Sequence, residues 1–321
     1  MSAPRVLLAC VAEDAPVFHA RVESLVGSAR RLGGCLSESP IVVSMVGGAN
    51  PAFVRRLQAL DVEVRVVRRM TDSGAPHANK LRMLELHERE DFDVLLAADC
   101  DVAVAEDPTM YLPRDSIGVV PADVDPLTEG QWRRLFDGVA LDLRERSVRA
   151  TTTGRPMYPY FNSGVVAVPR HLCVDLLATW TRALEDLHAL WQRNPNVIPR
   201  AKRFFADQIA LMIALQRGLP WTEASRELNF ATHVDLHEPT VQSLKPALLH
   251  YHGAVDDEGF LLMPRSPVAA RAADRVNRDR AAAHGYRYEG LKMPPTPGSA
   301  RRAIDRVGEA AKAAGRPLLR R

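Results

Sequence analysis

Two aspartates with one residue between them follow directly after an apolar segment in the first half of the sequence. Asp99 and Asp101 come immediately after residues 94–98, every one of which is apolar. Carboxylates two positions apart on an extended backbone face the same way, so this pair could hold one cation between them. A hard divalent cation held there keeps open positions that bind phosphate oxygens. The pair is therefore a candidate metal site for a phosphorylated ligand.

The same spacing of aspartates occurs twice more, so the surrounding sequence has to distinguish the three pairs. Asp91 and Asp93 precede the apolar segment, and Asp123 and Asp125 follow Pro121, where a turn is expected. In open α/β sheets, ligands bind at the carboxyl ends of the strands. Only the pair that directly follows the apolar segment has that position. The alternative for this pair is a structural one, in which both carboxylates cap the next turn.

Short apolar segments alternate with amphipathic stretches along the chain, which predicts the elements that position this pair. In the first hundred residues, strands are predicted at 5–11, 41–46, 62–67 and 94–98, and helices at 18–32, 50–60 and 77–90. Strands separated by helices indicate an α/β fold with a mainly parallel central sheet flanked by helices. Further along, strands are predicted at 117–121, 161–168 and 247–251, and helices at 131–146, 172–192 and 207–217. We expect the strand at 247–251 to return to the sheet.

The composition is that of a globular protein, and its charge is unevenly distributed. The 321 residues are 46% hydrophobic and 25% charged, which excludes a collagen-like or wholly disordered chain. Residues 266–321 carry 13 Lys and Arg against 5 Asp and Glu, a net charge of +8, whereas residues 1–265 carry −5. A nucleic-acid-binding surface across the main part of the chain is therefore not expected. We predict one folded domain over 1–265 and a basic, Ala- and Arg-rich helical extension over 266–321.

Three further features bear on where the protein works. The four cysteines include no pair with CxxC spacing, so buried thiols in a reducing compartment are expected rather than a disulfide framework. The sequence has no convincing secretory signal and no apolar run of about 20 residues, the length of a membrane span. We therefore predict a soluble, cytoplasmic protein. The extension lacks the large apolar face of an interfacial helix, so a solvated helix is favoured over peripheral contact with a membrane.

Five segments in consistent order resemble the family 8 glycosyltransferases, the group that contains glycogenin and the lipopolysaccharide galactosyltransferases. Residues 93–108, around the aspartate pair, resemble the DxD segment of that family. The other four are the helix that reaches the donor (77–84), the FNSGV strand (160–168), the start of the DQ helix (205–209) and the late HFxG element (248–253). The resemblance covers residues 5–255. It implies a GT-A fold whose catalytic domain transfers a sugar from a nucleotide donor, most often a UDP-sugar, to an acceptor that the sequence does not identify.

The resemblance also implies roles for individual residues. The metal ligands would be Asp99, Asp101 and His250, with Mn²⁺ as the usual ion, Mg²⁺ as a second choice and His252 as the alternative to His250. Asp207 would hold hydroxyls of the donor sugar, and Gln208 would lie nearest the anomeric carbon. The residues expected to contact the donor are Ala9, Val11, Asp14, Lys80, Arg82, Asp99, Cys100, Asn162, Ser163, Gly164, His252 and Gly253. If the stereochemistry of the family carries over, the sugar keeps its anomeric configuration.

One departure from the family concerns the diphosphate of the donor. After the late glycine the family usually has Lys-Pro-Trp, whose lysine grips the diphosphate. Here Gly253 is followed by residues 254–257, which contain two aspartates and no basic residue. Either another cation, such as Lys80, Arg82 or Lys245, supplies that contact, or the donor and the stereochemistry differ from those of family 8.

Each candidate residue also has an ordinary structural interpretation. His250 could be a core histidine, Lys80 a solvated lysine, residues 162–164 a β-bulge and Asp207 a helix cap. Two other functions stay open: a degenerate transferase that binds a nucleotide sugar without turnover, and a sugar-phosphate nucleotidyltransferase. The second is disfavoured because no Gly-rich phosphate loop follows the first strand.

Overall fold

The structure is a computed structural model that describes residues 4–70, 76–233, 240–256 and 258–294. The strands in these residues are β1 (Val6–Glu13), β2 (Ile41–Val46), β3 (Val62–Val67), β4 (Val94–Ala98), β5 (Val102–Val104), β6 (Ile117–Pro121), β7 (Val148–Arg149), β8 (Pro156–Met157), β9 (Phe161–Pro169), β10 (Trp221–Glu223), β11 (Phe230–Ala231) and β12 (Leu248–His250). The α-helices are α1 (Pro16–Leu32), α2 (Pro51–Gln58), α3 (Glu129–Gly138), α4 (Cys173–Arg193), α5 (Ala206–Gln216) and α6 (Pro267–His284). The 3₁₀ helices are Gly34–Glu38, Pro76–Glu88, Thr109–Tyr111, Arg170–Leu172, Arg200–Phe205, Arg226–Leu228 and Thr240–Ser243.

The central sheet has seven strands, in the order β10-β6-β9-β4-β1-β2-β3. Strands β4, β1, β2 and β3 pair in parallel, and so do β6 and β10. Strand β9 runs antiparallel to both of its neighbours, β4 and β6. Because of this reversal, the first residues of β9 lie beside the carboxyl end of β4, where the aspartate pair follows.

The middle strands are largely apolar because helices cover both faces of the sheet. In β1, Leu7 and Ala9 belong to one hydrophobic cluster and Leu8 and Cys10 to the other, since side chains alternate along a strand. Residues of α3, α4 and α5 complete the first cluster, and residues of α1 and α2 complete the second. A strand buried on both faces has a continuous apolar sequence, which explains the apolar segment that β4 occupies.

The predicted α/β fold with a mainly parallel, helix-flanked sheet is confirmed, but two predicted helices differ. The segment predicted as a helix at 77–90 forms the 3₁₀ helix Pro76–Glu88. Its buried residues include the consecutive positions 78–81 as well as Met83, Leu84 and Leu86, so the segment lacks the single apolar stripe of an amphipathic α-helix. The helix predicted at 131–146 ends at Gly138 as α3, because the chain turns at Ala140, whose φ is +55°.

The strand predicted at 247–251 forms as β12, but the expectation that it returns to the central sheet is wrong. It belongs to a separate three-stranded sheet, where it pairs antiparallel with β5 and parallel with β11. The reason lies in the turn after β4, at which the Val102 N–H donates a hydrogen bond to the Asp99 carbonyl (3.2 Å). This turn takes β5 out of the central sheet and gives β12 a different edge to pair with.

Helix α6, in the basic C-terminal extension, packs on the rest of the chain through one apolar face. A third hydrophobic cluster joins Val268, Ala272 and Val276 of α6 to Leu249 of β12 and to the following Tyr251. The extension is therefore helical and partly buried over the residues of α6. The boundary at residue 265 stays a prediction, and residues 295–321 lie outside the described residues.

Polar contacts also hold α6 in place. The Asn277 side chain accepts a hydrogen bond from the Leu261 N–H (2.8 Å) and donates one to the Leu261 carbonyl (2.9 Å). The Arg31 guanidinium of α1 lies 2.6 Å from the Asp279 carboxylate. Among the helices that the structure describes, none has the length and apolar character that crossing a bilayer requires.

Candidate active site

The aspartate pair lies where β4 ends beside the start of β9. The Asp99 N–H donates a hydrogen bond to the Gly164 carbonyl of β9 (2.7 Å). Asp101 comes directly before β5, and the Tyr251 N–H donates to its carbonyl oxygen (3.0 Å). Both side chains are only partly buried, with 28% and 18% of the Asp99 and Asp101 side chains exposed. Hydrogen bonds to neighbouring segments therefore fix the backbone at both aspartates, and both carboxylates are open to a ligand.

His250 completes a group of three potential metal ligands. One carboxylate oxygen each from Asp99 and Asp101 and one ring nitrogen of His250 all lie within 4.8 Å of one another. The pairing of His250 with Val102 across β12 and β5 places the imidazole next to Asp101, so that its Nε2 is 3.5 Å from Asp101 Oδ1. Its Nδ1 is 2.9 Å from Asn229 Oδ1.

The chemistry of these three side chains fits a divalent cation. Carboxylate oxygens and a neutral imidazole are ligands that Mn²⁺ and related ions accept. A metal-binding histidine is commonly oriented by a hydrogen bond from its second ring nitrogen, and Asn229 accepts such a bond at Nδ1, which leaves Nε2 toward the carboxylates. Burial alone would raise the pKa of Asp101, but the bond to His250 lowers it below its ordinary value. Burial would lower the pKa of His250, and Asp101 raises it above 6.5.

The backbone of β9 leaves space for this imidazole at Gly164. A Cβ atom at this position would lie 2.1 Å from the Cε1 atom of His250, far closer than any non-bonded contact. The adjacent Asn162 side chain accepts a hydrogen bond from the Gly164 N–H (2.8 Å) and so closes a tight turn. Glycine is thus required at this position because the histidine ring occupies the place of a side chain.

A buried network of charges adjoins the three potential metal ligands. The Lys80 ammonium lies 2.8 Å from the Asp207 carboxylate and 3.2 Å from that of Asp99, and it donates to Ser163 Oγ at 2.9 Å. Ser163 in turn donates to Asp207 at 2.6 Å. Burial alone would lower the pKa of Lys80, but the two carboxylates raise it above its ordinary value. Burial would likewise raise the pKa of Asp207, and the Lys80 charge lowers it instead. Both groups are therefore held in their charged forms.

Local structure explains how these three side chains meet. Lys80 is on the 3₁₀ helix Pro76–Glu88, and Asp207 is in the first turn of α5. The register of β6 and β9 shifts between Val119 and Val120, so that β9 contains a bulge around Ser163. A bulge redirects side chains, and here the Ser163 hydroxyl reaches Lys80 and Asp207. The bulge expected as a structural alternative is thus present and is also what builds the network. No side chain caps α5, so Asp207 is not a helix cap.

The other residues predicted to contact the donor differ in burial and in the groups they contact. Ala9 and Cys100 are buried, with 1% and 6% exposure. Asp14 accepts a hydrogen bond from the Asn50 N–H and lies 2.7 Å from the His19 ring nitrogen. The Arg82 guanidinium contacts Glu85 and the carbonyl oxygens of Arg68 and Arg69, and not the buried network. Val11, Asn162 and Gln208 are partly buried.

A row of histidines extends from the three potential metal ligands in the direction of Asp123. The rings of His250 and His252 stack with their centroids 3.7 Å apart, and His233 meets His252 edge-on at 4.2 Å. His233 Nε2 is 3.6 Å from the Asp123 carboxylate. His252 itself is exposed. Of the two histidines weighed from the sequence, His250 is the one grouped with both aspartates.

Two residues of the site were missed by the sequence analysis. Asn229, which orients His250, is a lone asparagine before a two-residue strand. Arg21, from α1, has its Nη1 atom 4.0 Å from Asp101 Oδ2. Neither belongs to a recognisable motif, and the contacts that define them join positions far apart in the sequence. No sequence signal would have found either one.

Comparison with known proteins identifies the family. The model of the family described as the Rhodobacterales glycosyltransferase domain matches residues 29–218, more than half of the chain. No curated protein matches the sequence. Among solved structures, mouse xyloside xylosyltransferase 1 in its apo form is 13% identical, with a TM-score of 0.47, and the match covers 77% of this chain and 97% of that one.

The galactosyltransferase LgtC, in complex with donor and acceptor sugar analogs, is 15% identical to this chain, with a TM-score of 0.49. An active-site mutant of LgtC is 16% identical, also with a TM-score of 0.49, and each match covers 86% of this chain and 95% of the LgtC chain. The family match over residues 29–218 is the finding that decides the assignment. This chain belongs to the family of the Rhodobacterales glycosyltransferase domain and is a glycosyltransferase.

Proposed function

We propose that this glycosyltransferase takes its sugar from a nucleotide-diphosphate donor, with a divalent cation bound by Asp99, Asp101 and His250. The observation that carries the proposal is the convergence of these three side chains on one point, next to the buried Lys80, Ser163 and Asp207. Binding a diphosphate requires positive charge, and binding a sugar requires polar groups that can hydrogen-bond its hydroxyls. The site places both kinds of group next to each other. Mn²⁺ is the ion we expect first, and UDP-sugars are the donors to test first.

The bound cation would stabilise the negative charge that develops on the leaving diphosphate, as a Lewis acid does, without a proton transfer. Side chains of this protein would orient the ligands and add further positive charge. Asn229 holds the His250 ring in one orientation, and Lys80 adds a positive charge 3.2 Å from Asp99. These groups are in place before the donor binds, so no reorganisation is required when charge develops.

Asp207 is the proposed contact for the hydroxyls of the donor sugar. Its carboxylate is ionised and fixed by Lys80 and Ser163, and a carboxylate accepts hydrogen bonds from hydroxyl groups. Its negative charge also favours the positive charge that develops on the sugar ring as the anomeric bond breaks. Gln208, the next residue of α5, is only partly buried, and we propose that it faces the anomeric carbon.

The test is calorimetric titration of a UDP-sugar panel into the full chain with and without Mn²⁺. We expect metal-dependent binding that Asp99→Asn weakens about tenfold or more, because a ligand carboxylate and its charge are lost. Asp91→Asn is the matched control. It changes the same spacing motif at the opposite end of β4, where Asp91 forms an ion pair with Arg89.

Turnover of the bound donor distinguishes an active transferase from a protein that only binds nucleotide sugars. Hydrolysis of the bound UDP-sugar in the presence of Mn²⁺ is the readout, since it requires no knowledge of the acceptor. A wild-type chain that binds no nucleotide sugar, or an Asp99→Asn chain that binds and turns over the donor normally, would contradict the proposal.

A further inference from the structure

The region where a diphosphate would lie lacks the basic residue expected after Gly253. The three cations considered from the sequence do not replace it. Lys80 is neutralised by two carboxylates, Asp99 and Asp207. Arg82 is engaged by Glu85 and by backbone carbonyls, and Lys245 is exposed in a loop before β12.

Arg21 brings a guanidinium to this region from the second turn of α1. Its Nη1 atom is 4.0 Å from Asp101 Oδ2, which is too far for a hydrogen bond, and only 16% of the side chain is exposed. Its Nε atom is buried and has no hydrogen-bond partner. A buried guanidinium with an unsatisfied N–H group is costly, so a ligand that accepts its hydrogen bonds would stabilise it.

Gly253 has no side chain and so leaves the space that the Arg21 guanidinium occupies. The residue has a φ of +77°, a conformation that favours glycine, and a Cβ atom there would lie 2.6 Å from Arg21 Nη2. Arg21 therefore lies directly against the backbone of Gly253, the position after which the family carries its lysine. A cation from a different part of the chain therefore lies beside the late glycine.

The balance of charge supports a role for this cation. Asp99, Asp101 and Asp207 contribute three negative charges, and Lys80 and Arg21 contribute two positive ones. With a divalent cation bound, the site has a net charge of +1 and attracts a diphosphate. Without Arg21 the same site would be neutral.

We propose that Arg21 binds the diphosphate of the donor and takes the place of the lysine that the late motif lacks. This proposal rests on the proposed function, because it assumes a nucleotide-diphosphate donor. Guanidinium is well suited to the role, since it presents its N–H groups in a planar fork that matches phosphate oxygens.

The experiment compares wild type with Arg21→Met by calorimetric titration in Mn²⁺. The ligands are UDP, GDP and ADP, each tested against its monophosphate. We expect Arg21→Met to weaken the best-bound diphosphate about tenfold or more and its monophosphate by less than about threefold, because charge-assisted hydrogen bonds to the second phosphate are lost. Arg21→Lys keeps the positive charge but not the planar fork of N–H groups, so its affinity for the diphosphate should lie between those of wild type and Arg21→Met. Arg55→Met, an exposed arginine of α2, is the control.

A second readout separates phosphate binding from a structural role. Titration of Mn²⁺ alone should show binding by Arg21→Met that equals or exceeds wild type, because removing a positive charge near Asp101 favours the cation. If Arg21 only positions Asp101, the affinities of Arg21→Met for Mn²⁺, for the diphosphate and for the monophosphate will all fall together, and the proposal is wrong. An unchanged ratio of diphosphate to monophosphate affinity also overturns it. A wild-type chain that binds no diphosphate would instead count against the proposed function itself.

Discussion

At the scale of single residues, Lys80 links the two halves of the candidate site. Its ammonium contacts Asp99 of the proposed metal site and Asp207, the proposed contact for the donor sugar, and only 6% of its side chain is exposed. A buried ion pair of this kind adds little net stability, but removing one partner leaves the other charged and unpaired. The lysine therefore matters for both folding and binding.

We expect Lys80→Met to lower the free energy of unfolding by about 3–5 kcal/mol, because two carboxylates then lack their shared cation. Urea denaturation measures the change. The double variant Lys80→Met/Asp207→Asn should recover part of the loss, since it removes one of the unpaired charges. Lys292→Met is the control, because Lys292 forms exposed ion pairs with Asp256 and Glu258 and should matter little. Equal stability of Lys80→Met and wild type would refute the ion-pair interpretation.

Sequence patterns were sufficient for some residues of the site and not for others. Asp99 was distinguishable because it ends an apolar strand, and chemistry at strand ends is a general property of α/β sheets. Asn229 and Arg21 were not distinguishable, since each acts through one contact with a residue from another part of the chain. Such contacts depend on the packing of β12 and α1, which no local pattern encodes.

At the scale of elements, the antiparallel strand β9 and the sheet of β5 and β12 shape the site. β9 contributes Gly164, whose missing side chain leaves space for the ring of His250 on β12. The sequence predicted β9 and β12, because each is a short apolar run. It did not predict their partners, since pairing depends on the turn after β4 that takes β5 out of the central sheet.

We expect Gly164→Ala to disturb this contact between β9 and β12. The new methyl group would overlap the His250 ring, and overpacking of this kind costs about 1–3 kcal/mol of stability. Displacement of the ring should also weaken Mn²⁺ binding, which titration measures alongside thermal unfolding. Gly130→Ala is the matched control, since Gly130 is exposed on α3 and a Cβ atom added there would lie 3.6 Å from its nearest neighbour, Arg134 Nη1. Unchanged Mn²⁺ affinity in Gly164→Ala would show that the ring does not hold the metal from this position.

At the scale of the whole molecule, α6 joins the body through the third hydrophobic cluster. That cluster includes Leu249, the residue before His250, so the helix supports the strand that carries the proposed metal-binding histidine. The composition of residues 266–321 predicted a basic helix, and α6 is one. Its alanine-rich apolar face was not recognised as a packing surface because alanines give only a weak apolar pattern.

We expect a chain that ends at residue 265 to be less stable than one that ends at residue 294. Loss of the buried Val268 and Val276 alone removes several kcal/mol, at about 1.5–3 kcal/mol for each fully buried apolar side chain. Thermal unfolding measures the difference, and Mn²⁺-dependent nucleotide binding should fall with it. The chain ending at 294 is the control, since it keeps every described residue. Equal stability of the two chains would instead support a domain boundary at residue 265.

The three proposed metal ligands enter the chain at very different times during protein synthesis. Asp99 and Asp101 leave the ribosome about 150 residues before His250 does, and Asn229, which orients that histidine, also comes late. A nascent chain therefore exposes two carboxylates long before it can form the complete site. The proposed ligands could stabilise only a chain that has folded through β12, so binding competence would arise after β12 has been synthesised rather than with the first half of the sheet.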